Sequence, residues 1–155
     1  AEGHPTEDMP PIVRDRHMTV SRQSDLLKDV TQVAAAAKLG DWQIVDARSV
    51  TRFRGQEPEP REGLRRGHIP GSRNLPYGDL LNDDGTMKAP DALKAAFESA
   101  GIDLSRPVIS TCGSGVTACI LDLALTRLGH PRHAVYDGSW AEWGMYNDLK
   151  IATGD

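Results

Sequence analysis

Cysteine is scarce: 155 residues contain two, Cys112 and Cys119. That number excludes a disulfide scaffold. The two lie seven positions apart, in what reads as a turn followed by a helix, which is poor geometry for a mutual bridge. Unpaired thiols point to a reducing compartment. No run of about eighteen apolar residues is present, so no membrane-spanning helix is expected. An excess of positive charge is missing too, since the formal net charge is −4 and there is no basic field of the kind a general nucleic-acid binder carries. The histidines at 4, 17, 68, 130 and 133 have no metal-ligand spacing with one another or with the cysteines, so neither a metal nor a cofactor is expected. Internal repeats are absent. Residues 1–17 lack a charged-then-apolar signal pattern and are polar and proline-bearing, which predicts a linker after an earlier segment, a cytoplasmic location, and one globular domain over 18–155.

What remains alternates between two periods. Met18 to Val20 is a short extended candidate. Leu26, Leu27, Val30, Val33 and Ala37 recur at helical spacing from Ser24, a candidate cap, to Leu39. Gln43 to Ala47 reads as a buried strand, and Ser49 to Gly71, rich in proline and glycine, as a long ordered loop. Ser72 to Pro76 is a further strand candidate, Asp91 to Ala100 a helix, and Pro107 to Thr111 a buried strand. Val116 to Leu128 predicts a helix, Ala134 to Tyr136 a strand and Trp140 to Asn147 a last helix. Strands and helices alternating in this way predict an α/β fold, a parallel sheet with helices on both faces.

The segment Cys112-Gly113-Ser114-Gly115-Val116-Thr117 follows a strand and opens a helix, where such sheets usually bind ligands. Two glycines let successive backbone N–H groups curl inward as a nest for negative charge, and the helix N-terminus adds its positive dipole end. A thiolate at Cys112 would be stabilised by both, which makes it a candidate nucleophile. The alternative is a small buried hydrophobe. Ser114 either donates to a sulfur or carbonyl oxygen or satisfies the turn. Cys119, deeper in the helix beside Ile120 and Leu123, is expected to pack in the core.

Between 52 and 67 stand five arginines, at 52, 54, 61, 65 and 66, and three glutamates, at 57, 59 and 62. This loop is either a grip for a small organic acid or a solvated surface with self-compensating ion pairs. His68 is expected to tie down a turn, Trp140 and Trp143 to anchor packing, and Asp46 and Arg48 to pair at a strand end.

Asp46-Ala47-Arg48, Gly67-His68-Ile69-Pro70-Gly71, the CGSGVTA loop and Tyr136-Asp137-Gly138-Ser139-Trp140 together resemble the rhodanese superfamily across residues 42 to 144. Within it the loop is similar to the 3-mercaptopyruvate sulfurtransferase type. Thiosulfate-preferring members typically carry basic residues where Gly113 and Ser114 stand. The resemblance implies a rhodanese-like fold and a two-step exchange. Cys112 takes sulfur from 3-mercaptopyruvate as a persulfide, pyruvate leaves, and a thiol, thioredoxin-like proteins included, or cyanide accepts the sulfur. It further implies that Arg52 and Arg61 hold the donor's carboxylate and carbonyl, that Gly113, Ser114, Gly115, Val116 and Thr117 line its site, and that Ser114 assists proton movement.

Enzymes of that type usually have two such domains, the first inactive and the source of partners for the serine. The sequence resembles linker plus second domain, so the N-terminal domain is the expected missing partner. Three rivals stand beside this. A related phosphatase needs arginine six positions after the cysteine, where Ala118 stands. A thiosulfate sulfurtransferase can bind a dianion through the nest alone. A non-catalytic sulfur-carrier or docking module would keep the fold without turnover.

Overall fold

The computed structural model describes residues 3, 8, 9, 19–21 and 23–154. Most of the expected linker, and Met18 of the first extended candidate, lie outside them, and Thr19 and Val20 belong to no strand. Five strands, β1 (Leu27–Lys28), β2 (Gln43–Asp46), β3 (Arg73–Asn74), β4 (Val108–Thr111) and β5 (His133–Tyr136), form one sheet in the order β1-β5-β4-β2-β3. All four pairings are parallel, as alternation of strands and helices requires. Among the described residues five α-helices flank it: α1 (Val30–Leu39), α2 (Val50–Phe53), α3 (Pro90–Ser99), α4 (Ala118–Arg127) and α5 (Ser139–Trp143). None is long and apolar enough to cross a membrane.

Side chains alternate across the central strands, so each strand feeds two cores. Val45, Val108 and Val135 pack with Leu93 and Phe97 of α3 and Leu121 and Leu125 of α4. Ile44, Ile109 and Tyr136 pack on the other face with Val33 of α1 and Trp140 and Trp143. Each of these buried aliphatic side chains is worth about 1.5–3 kcal/mol against exposure. The two tryptophans are packing anchors as expected, 1% and 2% exposed.

Several boundaries moved. The first helix begins at Val30, because Asp29, not Ser24, caps it: the Asp29 carboxylate accepts from Gln32 N–H at 2.9 Å while the Gln32 side chain accepts from Asp29 N–H. Leu26 and Leu27, counted toward its apolar stripe, instead lead into edge strand β1, and both are exposed. The 49–71 loop contains the four-residue α2, too short for a helical period to show, with the Ser49 side chain accepting from Arg52 N–H.

Candidate active site

Parallel register sets the location of the site. Asp46 is paired with Thr111, so the segments leaving β2 and β4 emerge side by side at the carboxyl edge of the sheet. The segment after β4 is the cysteine loop, and that after β2 carries Arg48, α2 and the arginine loop. Both predicted halves of the site therefore meet. They enclose a cavity of about 220 Å³ with Cys112, Gly113, Ser114, Val116 and Thr117 on one side and Arg52 and Arg61 on the other.

Cys112 is 1% exposed and sits below the loop. Its backbone is fastened on both sides of the peptide: Trp140 N–H donates to Cys112 O at 2.9 Å, and Cys112 N–H donates to the Ser139 hydroxyl at 3.1 Å. Burial pushes the thiol pKa up, but the Thr117 hydroxyl, the N–H groups of Ser114 and Ala118 and the Ser139 hydroxyl all favour the thiolate and outweigh it, leaving the pKa below the ordinary thiol value. Two of these donors, the Ser114 and Ala118 N–H groups, are the inward backbone amides of the nest, and Ala118 is also the first residue of α4. This arrangement is one that would stabilise a thiolate at Cys112.

Cys119 corrects an expectation. It is exposed, not core-packed. The buried face of α4 is Ala118, Leu121, Ala124 and Leu125, which turns Cys119 outward, where its Sγ donates to Gly115 O at 3.4 Å. Burial, followed by the negative groups at Asp122, Cys112 and Asp137, raises its pKa. The two cysteines are thus shifted in opposite directions.

The arginine loop carries self-compensating ion pairs, buried rather than solvated, and brings Arg52 and Arg61 to the cavity wall. Arg48 is buried, with Nε 3.1 Å from both Asp46 oxygens and a third contact to Asp46 Oδ2 at 2.7 Å. It also donates to Glu59 Oε1 at 2.6 Å and to Gly67 O at 2.8 Å, and lies over the Trp140 ring at 4.5 Å. Glu59 takes a second, short hydrogen bond from Arg52 Nη2. Signs alternate along Asp46, Arg48, Glu59 and Arg52, and the chain delivers a guanidinium to the cavity wall. Arg52 Nη2 lies where a Cβ on Gly113 would be 2.7 Å away, so glycine at 113 is what admits the arginine so close to the loop. Arg52 Nε is buried with no hydrogen-bond partner. Arg61 and Ser114 are exposed at the rim. Arg65 is a structural member, donating to the carbonyls of Leu149 at 2.8 Å and Trp143 at 3.2 Å.

His68 ties the loop down as expected: its Nδ1 is 2.8 Å from Phe53 O, and its ring stacks on Phe53 with centroids 3.8 Å apart. Sequence reasoning missed Glu59 and Ser139 as site residues. Ser139 is fully buried and has φ of +51°, the one left-handed non-glycine among the described residues. No local periodicity marks such a residue, although its place beside Gly138 in a turn between strand and helix was visible. Nor did anything in the loop's composition single out Glu59 from Glu57 and Glu62.

Comparison with known proteins agrees with this geometry. The rhodanese-like domain model matches residues 29–146. A 3-mercaptopyruvate sulfurtransferase of Homo sapiens is 49% identical over 104 residues, 67% of this chain and 35% of that protein. A thiosulfate sulfurtransferase of Cricetulus griseus is 43% identical over 143 residues, 92% of this chain and 48% of that one. Among solved structures, the Tum1 protein of Saccharomyces cerevisiae superimposes with a TM-score of 0.77 at 38% identity, covering 86% of this chain and 48% of that chain. The chain therefore spans about half or less of the length of these relatives. On the family model, the identities and the parallel sheet together, the chain belongs to the rhodanese family.

Proposed function

We propose that the chain is a sulfurtransferase domain that takes sulfur from 3-mercaptopyruvate as a Cys112 persulfide. The observation that carries this is the thiol held below its ordinary pKa by the Thr117 and Ser139 hydroxyls and loop amides, facing a cavity that Arg52 and Arg61 line. In the first half-reaction the Cys112 thiolate attacks the donor sulfur. An S–S bond forms, the donor C–S bond breaks, and its electron pair goes to the methylene carbon as the pyruvate enolate. The proton of the donor thiol ends on that carbon, with Ser114 at the rim assisting, and pyruvate and the Cys112 persulfide anion result. Arg52 and Arg61 hold the carboxylate and carbonyl, and the guanidinium beside the carbonyl favours the enolate. In the second half-reaction a thiolate or cyanide attacks the outer sulfur, and Cys112 leaves as the thiolate.

A neutral loop with glycine at 113 favours this donor over thiosulfate, because Arg52 occupies the space a basic side chain at 113 would need. The acceptor is proposed to be a small thiol or a thioredoxin-like protein, and a preceding N-terminal rhodanese domain is proposed as the other wall of the cleft. The test is thiocyanate and pyruvate production with cyanide as acceptor, comparing the two donors. Pyruvate and thiocyanate in equal amounts support the reading. Thiocyanate from thiosulfate alone makes the chain a thiosulfate sulfurtransferase.

A further inference from the structure

Between Glu59 and Arg65 the arginine loop forms an arch whose two feet are held in different ways. Glu59 is the first foot, buried and fixed by Arg48 and Arg52. Arg65 is the second. Its Nη1 donates to Leu149 O at 2.8 Å, its Nε to Gly144 O at 3.3 Å, and its Nη2 to Trp143 O at 3.2 Å and, in a short hydrogen bond, to Tyr146 O. Every acceptor is a main-chain carbonyl at or just beyond the end of α5. Trp140 answers from within the helix, its Nε1 donating to Arg65 O at 2.9 Å. Pro60, Arg61 and Leu64, which line the donor cavity, lie on the arch between the feet. None of the residues from 60 to 64 makes a hydrogen bond of its own among the described residues, so their placement depends on the feet.

The same helix holds the opposite wall of the cavity. Trp140 N–H donates to Cys112 O and Ala141 N–H to Gly113 O, both at 2.9 Å. Cysteine loop and arch are therefore both referenced to the five residues of α5. We propose that Arg65 is a positioning residue of the donor site: by pinning the second foot of the arch to α5, it sets the distance from Arg61 and Leu64 to Cys112, and so the grip on the donor carboxylate. The inference rests on the sulfurtransferase reading for the identity of that donor. Arginine suits the task because its rigid fork of donors takes several carbonyls at once, which a lysine ammonium cannot span. Without the guanidinium, residue 65 keeps only its backbone contacts to Trp140 Nε1 and to Gly144 O, the latter at 3.4 Å. Cys112 keeps its own fastenings to Trp140 and Ser139.

The experiment compares alkylation of Cys112 by iodoacetate, which carries a carboxylate on the reacting carbon, with alkylation by neutral iodoacetamide, both read by peptide mass. Comparing each variant with the native chain cancels the thiolate's own charge, and taking the ratio of the two rates cancels changes in folded fraction. Arg65→Ala should lower the iodoacetate-to-iodoacetamide ratio about fivefold, the effect of moving a unit charge a few ångströms from the bound anion, and leave the iodoacetamide pH profile unchanged. Arg65→Lys should lower the ratio by about twofold. An unchanged ratio in a folded Arg65→Ala chain, equal slowing of both reagents, or a shifted iodoacetamide pH profile overturns the proposal. Should Arg65→Ala fail to fold, an unchanged ratio in Arg65→Lys overturns it, and failure of both to fold makes Arg65 a residue of the fold alone and overturns it too. The readout needs no sulfur transfer, so absence of persulfide with every donor would sink the sulfurtransferase reading and leave this measurement intact.

Discussion

Ser139 and Cys112, 27 residues apart in the chain, share one hydroxyl: Ser139 Oγ accepts from Cys112 N–H at 3.1 Å and lies 3.9 Å from Cys112 Sγ. The same hydroxyl lies 2.8 Å from Tyr136 O, so its single proton goes either to that carbonyl, joining the end of β5 to the start of the cysteine loop, or to the Cys112 thiolate. Its backbone pays with a left-handed φ of +51°, a conformation that persists only where surrounding contacts impose it.

Ser139→Ala should therefore act on both stability and reactivity. It leaves the buried Cys112 N–H unpartnered, a loss of about 1–3 kcal/mol, and removes one of the groups favouring the thiolate. Ser139→Gly loses the same hydroxyl but adopts the left-handed φ freely, so it should be more stable than Ser139→Ala by about 1 kcal/mol. Urea unfolding of the three proteins checks the order native, glycine, alanine.

Cys112 also gives the fold a pH dependence of definite sign. Its folded pKa is below the ordinary thiol value, so between the two the folded state is ionised while the unfolded state is not. Stability from this group is absent below the folded pKa, grows as pH rises through the window and is fully present above the unfolded value. Melting temperatures of the native chain and Cys112→Ala should diverge in favour of the native chain over that window. Thr117→Val, which removes the strongest group lowering the pKa, should narrow the window and shift the Cys112 alkylation profile to higher pH.

The two loop glycines should fail in different ways. A Cβ at 113 meets Arg52 Nη2, the far end of a long side chain, at 2.7 Å, so Gly113→Ala shifts the guanidinium within its pair with Glu59 without breaking it, and should reduce donor kcat/KM by about tenfold or more with little loss of stability. Gly115 has φ of +85°, and a Cβ there meets the Asp137 carbonyl oxygen at 2.7 Å, so Gly115→Ala should lose about 1–3 kcal/mol of stability. Steady-state kinetics and thermal melting on the same preparations separate the two.

Arg61 and Arg52 differ in the same manner. Arg61 is exposed at the rim, and Arg61→Ala should raise KM with stability changed by less than about 0.5 kcal/mol. Arg52→Ala removes one of the two cations on buried Glu59, and should lower both donor use and stability, the latter by about 1–3 kcal/mol. Denaturant midpoints measured beside the kinetics decide between them.

These residues also mark how far the sequence could be read. The alternation of strand and helix and the glycine-bounded Cys112 loop were legible because each rests on a local pattern: short β-branched runs such as Pro107 to Thr111, and two glycines after a cysteine. The first helix is capped five residues beyond Ser24 because Asp29 and Gln32 form a reciprocal capping box there. Cys119 was assigned to the core by its neighbours Ile120 and Leu123, but Leu123 is 58% exposed and the buried face of α4 runs through Ala118, Leu121, Ala124 and Leu125. Glu59 and Ser139 escaped because their importance comes from partners at Arg48, Arg52 and Cys112, brought close by the register of β2 against β4.

The most direct measurement is the intact mass of the chain after incubation with 3-mercaptopyruvate, and separately with thiosulfate, beside a Cys112→Ser control. A gain of about 32 Da, one sulfur atom, confined to chains with Cys112 and larger with 3-mercaptopyruvate is the predicted result. No gain with either donor, or an equal gain in the Cys112→Ser chain, would contradict a sulfur-carrying Cys112.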